Sequence, residues 1–439
     1  MKLNMKSGIL IGLTLLVSQT LYGETLTIKR TVELAQQNDP QWAAVKNQYL
    51  SNQQVIDQGR AGILPQINLD GSVSHNDDDY EKLGEDSYET HSYSASIVQP
   101  LFRLNNWHTY KQGKALDSQF EAEFKQNEEA FYLRIITLYL DVLRANANLS
   151  FRKAEQEAIA RQLEQSKQRF EVGLVAITDV HETQAAYDTA VSTRIVAESE
   201  QFVALRFLET LTGTEVDGVV DLHEDLPILP PDPIDLKQWI DMSLQGNYGL
   251  QAAIFAANAA EQDYKSKRGD HAPTLDLVGS HSYNSTEAES SITSGDLTRN
   301  TISLQLNLPL YSGGAVSANR RQSQYLFLAQ KDTEHFTRRE VIQDATNFYQ
   351  LMLANVAQVN ARKQSKLSAK VALEATEAGY EAGTRTIVDV LNVQRNLFQN
   401  ERDYINARFD YVITALNLKQ AAGLLTEEDI LSLEQWMKP

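Results

Sequence analysis

Two hydrophobic rhythms run along the chain, and each occurs twice. One set of alternate positions reads Ile67, Leu69, Gly71 and Val73, then Tyr93, Ala95, Ile97, Gln99 and Leu101. The same period returns at Leu275, Leu277 and Gly279, and at Ile302, Leu304, Leu306, Leu308 and Leu310. Period two over about ten residues predicts strands with one apolar and one polar face, as in a membrane barrel. The strands are placed at 66–79, 88–101, 274–287 and 298–310, with acidic and Ser-rich loops between them. Those loops are read as Asn76 to His91, carrying Asp77, Asp78 and Asp79, and Asn284 to Asn300.

The second rhythm follows each strand pair. Phe131, Ile135, Leu138, Val142, Ala145 and Leu149 recur at spacings of four and three, and Val341, Ala345, Phe348, Met352, Asn355 and Val359 repeat the stripe. This is a coiled-coil period. No proline lies between Pro100 and Pro227, or between Pro309 and Pro439. A helix from Asn105 to Gly173 would reach roughly 100 Å. A compact antiparallel bundle is the alternative; the length and freedom from breaks argue against it.

The chain superposes on itself at offsets of 208 to 210 residues. Arg60 and Pro65 meet Arg268 and Pro273, Pro100 meets Pro309, Tyr139 meets Tyr349, and Thr212-Gly213 meets Ala422-Gly423. A duplication on this scale sets the organisation. A first repeat covers 24–213, a linker with Pro227, Pro230, Pro231 and Pro233 covers 214–235, a second repeat covers 236–423, and 424–439 forms a C-terminal segment. Each repeat is expected to hold a helix, two strands and a long helical hairpin, with tips near 173–179 and 383–389. Four strands cannot close a barrel, because open edges in lipid leave backbone groups unpaired at several kcal/mol each. Barrel strands in one chain therefore require an oligomer.

Composition narrows the setting. Lys2 and Lys6 precede an apolar run from Ile9 to Val17, and small or polar residues continue to Gly23. This reads as a secretory signal peptide, 1–23, rather than an ordinary N-terminal helix. No later run is long and apolar enough for a membrane helix. The exported protein is thus either soluble outside the cytoplasm or an outer-membrane barrel. A net charge of −18 disfavours nucleic acid as a partner. With no cysteine, thiolate zinc sites, disulfides and cysteine nucleophiles are excluded. The histidines lack metal spacing and no phosphate loop or nucleophile elbow is present, so neither an enzyme nor a cofactor is expected. Asp77–Asp79 lacks the ordered ligands of a calcium loop.

Phe102, Trp107 and Tyr311 follow the strand-to-helix prolines Pro100 and Pro309, where they suit either an aromatic girdle at the membrane surface or packing at the junction. At the hairpin tips the strings Gly-Leu-Val-Ala-Ile-Thr-Asp-Val (173–180) and Gly-Thr-Arg-Thr-Ile-Val-Asp-Val (383–390) put a turn glycine before a new helix. Asp179 and Asp389 are read as helix N-caps, Asp179 with Glu182 at capping-box spacing.

These two strings resemble the tip motifs of the TolC family of outer-membrane channel-tunnels, the outer membrane efflux proteins. Tyr187-Asp188-Thr189 and Leu418 to Gly423 extend the resemblance over nearly the whole mature chain. It implies a mixed fold, a β-barrel continuous with an α-helical coiled-coil barrel, in a homotrimer whose chains share one 12-stranded barrel. It also implies a periplasmic adaptor (membrane fusion) protein, an inner-membrane pump or secretion ATPase that supplies the energy, and contact with outer membrane lipid. The exported cargo would be small molecules such as drugs, proteins, or both.

By the same resemblance Thr178, Asp179, Tyr380 and Arg385 are the expected periplasmic gate, with Asp179 accepting from the Tyr380 hydroxyl and pairing with Arg385. Asp389 would form an acidic ring that sets selectivity at the entrance. Asn392 departs from the family pattern of a second aspartate one turn on, which makes that ring less acidic. Gly173, Leu174 and Gly383 would dock the adaptor, and the glycines also serve the turns. The competing reading is a periplasmic coiled-coil adaptor or adhesin without a pore; the amphipathic strand pairs speak against it.

Overall fold

A computed structural model describes residues 24–80, 84–223, 225–288 and 294–438. The expected signal peptide, 1–23, lies outside the described residues. A short strand β1 (Glu24–Leu26) precedes helices α1 (Ile28–Asn38), α2 (Pro40–Asn52) and α3 (Val55–Ala61). Asp39 ends α1 and caps α2, its carboxylate accepting from the Gln41 and Trp42 N–H groups at 3.1 Å each. Strands β2 (Gln66–Tyr80) and β3 (Gly84–Phe102) lead into α4 (Leu104–Glu171), which returns as α5 (Ile177–Thr212). After β4 (Val216–Val219) the plan repeats: α6 (Leu236–Gly246), α7 (Tyr248–Gly269), β5 (Thr274–Ala288), β6 (Gly295–Asn307), α8 (Ala315–Glu381) and α9 (Ile387–Ala421). Helix α10 (Glu427–Leu431) and a 3-10 turn (Ser432–Trp436) close the chain. At 68 and 67 residues, α4 and α8 each extend about 100 Å.

The four long strands form one antiparallel sheet in the order β2-β3-β5-β6, so the join between β3 and β5 also joins the two halves. Its register sorts the side chains into rows. Ile67, Ile97, Gly279 and Ile302 stand opposite one another, while the next row is Asn68, Ser96, Ser280 and Thr301. One face is therefore an apolar band and the other is polar, which is the division a lipid-facing and lumen-facing sheet needs. Ile67 and Ile302 on this face are 75% and 85% exposed. Among the described residues the outer edges of β2 and β6 have no strand partner.

The strands run further than the apolar alternation. Asp77, Asp78 and Asp79, expected in a loop, pair in register with Ser87, Asp86 and Glu85. Likewise Asn284 and Thr286 pair with Leu297 and Gly295. The alternation stops where lipid would stop; the backbone ladder needs only N–H and C=O groups and continues with polar side chains. The stretch expected as a linker also carries structure: β4 pairs in parallel with β1, and Val216, Val219, Leu222 and Leu226 are buried.

The main core lies around the middle of α4. Tyr139 is fully buried and its hydroxyl donates to the carbonyls of Leu26 (3.0 Å) and Val220 (2.7 Å), tying both short strands to the long helix. Its repeat partner Tyr349 is buried in the same cluster. The C-terminal segment covers this region: Leu425 N–H donates to Glu129 (3.2 Å), Lys29 N–H donates to Glu434 (3.0 Å), and Met437 bridges Leu222.

Where sheet becomes tunnel, helices approach closely. A Cβ on Gly113 of α4 would lie 2.9 Å from the Val55 carbonyl oxygen of α3, and one on Gly269 of α7 would lie 2.9 Å from the Asn105 nitrogen. Arg103, just before α4, holds Asp276 of β5 by two hydrogen bonds of 2.8 and 2.7 Å. Phe102, Trp107 and Tyr311 are all exposed rather than packed into the junction. That exposure fits the girdle reading.

Candidate functional site: the hairpin tips

Both tips are built on one turn. After α4, Gly173 N–H donates to the Phe170 carbonyl (2.9 Å) and Leu174 N–H to that of Arg169 (2.8 Å). After α8, Gly383 N–H donates to Tyr380 (3.0 Å) and Thr384 N–H to Gly379 (2.9 Å). This paired pattern is the Schellman end of a helix. It requires the left-handed backbone that Gly173 and Gly383 adopt, each at φ 76°. No atom lies within 4 Å of where a Cβ would stand on either glycine, so both turns point into open space. Leu174 beside the first is 74% exposed.

The helices that leave the turns begin differently. Thr386 caps α9 in a full capping box: its hydroxyl accepts from the Asp389 N–H (3.2 Å), and the Asp389 carboxylate accepts from the Thr386 N–H and hydroxyl (2.9 Å each). These hydrogen bonds, led by the backbone N–H, hold the Asp389 carboxyl below its ordinary range, with Arg385 adding a smaller pull in the same direction. The corresponding cap on α5 is Ala176, which has no side chain to accept. Asp179 therefore sits in the first turn of α5 with its carboxylate near only the Thr178 hydroxyl, at 3.4 Å. Neither aspartate is itself the N-cap, as the sequence suggested. Each is the third residue of its helix, because the N-cap position falls at Ala176 in the first tip and Thr386 in the second.

Tyr380 and Arg385 are placed apart from Asp179. Among the described residues no hydrogen bond or ion pair joins Asp179 to either of them. The Tyr380 ring is 7% exposed, packed with Ile159 and Ala190 of the first hairpin and Ile387, Val390 and Leu391 of the second. The Arg169 guanidinium lies 4.8 Å from its ring centroid. This cation–ring contact, which sequence reasoning missed, joins the two tips. The Tyr380 hydroxyl is buried and has no hydrogen-bond partner among the described residues, and the same is true of Gln162 Nε2, Ser166 Oγ and Gln394 Oε1 higher on the hairpins. Arg385 is exposed, its N–H donating to the Gly379 carbonyl at 3.2 Å, while its guanidinium makes no ion pair among the described residues. Thr178 is exposed and Asp389 half-buried. Among the described residues no cluster of side chains could hold a metal.

The tips thus offer an uncommitted carboxylate, an uncommitted guanidinium and a buried orphan hydroxyl at the end of two 100 Å hairpins, below a sheet with one apolar face. The outer membrane protein TolC of Vibrio cholerae is 32% identical over 406 residues, covering 92% of each chain. The alkaline protease secretion protein AprF of Pseudomonas aeruginosa is 26% identical over 410 residues, covering 90% of this chain and 84% of its own. The crystal structure of CusC superposes with a TM-score of 0.79 at 15% identity, covering 90% of this chain and 92% of that one. The family model for outer membrane efflux proteins matches residues 31–214 and 239–424, one match to each repeat. The chain belongs to the outer membrane efflux protein family.

Proposed function

We propose that three copies of this outer-membrane efflux channel close one 12-stranded barrel, and that the tips of their hairpins form its periplasmic gate. The observation that carries the assembly is the sheet: among the described residues it has four strands, an unbroken apolar row on one face, and two unpaired edges. Such edges are tolerated in lipid only when a neighbour pairs with them. The helices agree. Ile195, Val196, Phe202 and Phe207 of α5 and Tyr325, Leu326 and Phe336 of α8 are exposed, an apolar surface for adjoining copies. The duct takes cargo from a periplasmic adaptor and an inner-membrane pump or secretion ATPase. That cargo is small toxic molecules, proteins or both, and the chain itself performs no catalysis.

In this reading Asp179 and Arg385 serve as latch partners across neighbouring hairpins, with Thr178 beside the carboxylate. Tyr380 anchors the second tip through the Arg169 guanidinium over its ring. The Asp389 carboxylates ring the entrance; their depressed pKa keeps them charged through mild acid. The open-space turns at Gly173, Leu174 and Gly383 receive the adaptor. The assembly is tested by reconstituting the purified protein: heat-modifiable trimers from the outer-membrane fraction should give discrete, mostly closed channels in planar bilayers. A soluble monomer with no conductance would return the chain to a periplasmic adaptor or adhesin.

A further inference from the structure

We infer that the first three turns of α4 form a binding site for anionic phospholipid headgroups at the periplasmic rim of the barrel. Trp107, Tyr110, Lys111 and Lys114 share one stripe of the helix, at spacings of three and four. Both neighbouring helices lie on the other side. Asn106 donates to the Gly62 carbonyl, Gly59 of α3 abuts the Thr109 carbonyl, and Gly113 abuts Val55. On the α7 flank His108 bonds Gln262 (3.0 Å) and Thr109 bonds Ser266 (3.1 Å). The residues between these flanks are 105, 106, 109 and 113, so 107, 111 and 114 lie on the opposite side of α4, where all three are exposed.

The chemistry there is specific. Lys111 Nζ lies 5.4 Å from the Trp107 ring centroid and Lys114 Nζ 4.7 Å from that of Tyr110. A ring positions an ammonium without neutralising it. Neither lysine makes an ion pair among the described residues, in a protein of net charge −18. The stripe turns acidic one turn lower, at Asp117 and Glu121, so the positive field is confined to about 10 Å of helix just below the strand end at Phe102. That depth is where phosphate groups meet the lipid-facing sheet. Two lysines held beside amphipathic rings provide two ammonium groups for one phosphate, and the rings lie among the first acyl carbons. The site belongs to the first half alone: the corresponding positions, Ser317, Arg320, Arg321 and Gln324, carry no aromatic ring. The inference rests on the barrel standing in the membrane.

Trp107 is its own reporter, since Trp42 and Trp239 are buried and Trp436 packs against the core cluster. Full-length protein is reconstituted in phosphatidylcholine vesicles containing a minor fraction of phosphatidylglycerol or phosphatidylethanolamine brominated near the headgroup. Quenching is measured with Trp107→Phe as blank. Brominated phosphatidylglycerol should quench at roughly tenfold lower fraction than brominated phosphatidylethanolamine, as two near-surface lysines imply. The difference should vanish in Lys111→Gln, Lys114→Gln and persist in Lys111→Arg, Lys114→Arg. Equal quenching by both lipids would overturn the headgroup site and leave an unselective girdle. No quenching by either, in vesicles where the channel still conducts, would overturn it by placing Trp107 outside the membrane surface. Loss of conductance and of barrel strands together would instead strike the barrel reading itself.

Discussion

At the start of α5 the N-cap position holds Ala176; at the start of α9 the same position of the repeat holds Thr386. The turns before them match glycine for glycine and in their paired Schellman hydrogen bonds. Yet Thr386 binds the Asp389 carboxylate into a cap, and Ala176 leaves that of Asp179 unused. A similar divergence appears at mid-height. Glu129 of α4 is buried beneath the C-terminal segment, whereas its counterpart Arg339 on α8 is exposed, because that segment exists once and covers only one copy. Duplication preserved the residues that bend or extend the backbone. It released those whose work is done toward a neighbour, and there the two copies took separate roles.

The largest expected effect comes from Glu129. Burial pushes its carboxyl up to about 8; the Leu425 N–H lowers it in part and Glu128 alongside raises it again. Glu128 is itself raised, by burial and then by Glu427. The ordinary value is 4.5, so between about pH 4.5 and 8 the folded chain keeps a proton that the unfolded chain has released. Stability therefore falls as pH rises through that window and levels off above it. Glu129→Gln should remove the larger part of the slope and leave the protein on the order of 4 kcal/mol more stable than wild type above pH 8, with little difference below pH 4.5. Thermal unfolding of the solubilised protein at pH 4.5 and 9 measures this. Parallel pH dependence in the two proteins would show that the tail does not bury Glu129 as described.

Much of this was legible from sequence. Strand alternation at Ile67–Val73 and Ile302–Leu306, the proline-free helices and the two turn glycines all report backbone conformation or lipid exposure, which a residue's own neighbours determine. The limits of β2 and β3 were not, because Asp77–Asp79 carry no apolar signal while their backbone still pairs. At the tips, the gate candidates came only from resemblance, and within one chain Asp179 meets neither Tyr380 nor Arg385 among the described residues. Thr386-x-x-Asp389 was readable as a capping box, yet the aspartates drew the assignment. The Arg169–Tyr380 contact joins positions on different hairpins, and no local pattern encodes it.

Removing the latch should have the next largest effect. Exposed ion pairs contribute about 0–1 kcal/mol each, but in the proposed trimer this one would occur three times. Arg385→Ser with Tyr380→Phe should raise single-channel conductance several-fold in planar bilayers; unchanged conductance would remove both residues from the gate. Ala176→Thr tests the asymmetry directly. A threonine there should accept from the Asp179 N–H and draw its carboxylate back into a capping box, steadying α5 by about 1 kcal/mol while withdrawing the latch acceptor. The channel should open more often, though less than in the double variant. A tighter closure would mean that Asp179 latches through its cap rather than free of it.

The smallest effects separate the two uses of Asp389. Thr386→Ala deletes the cap and keeps the charge; it should loosen the first turn of α9 by about 1 kcal/mol, read as faster hydrogen exchange at Val388 to Leu391, with unaltered ion selectivity. Asp389→Asn keeps an acceptor for the Thr386 N–H but removes the charge. It should leave exchange nearly unchanged and move the reversal potential in a salt gradient toward that of a non-selective pore. The shift should be modest, because Asn392 supplies no second carboxylate and the exposed Arg385 offsets part of the ring. If Thr386→Ala instead altered selectivity as much as Asp389→Asn, the entrance would depend on where the cap aims the carboxylate. The second tip's cap would then be part of the filter, and the two copies would differ in chemistry as well as in which neighbour they meet.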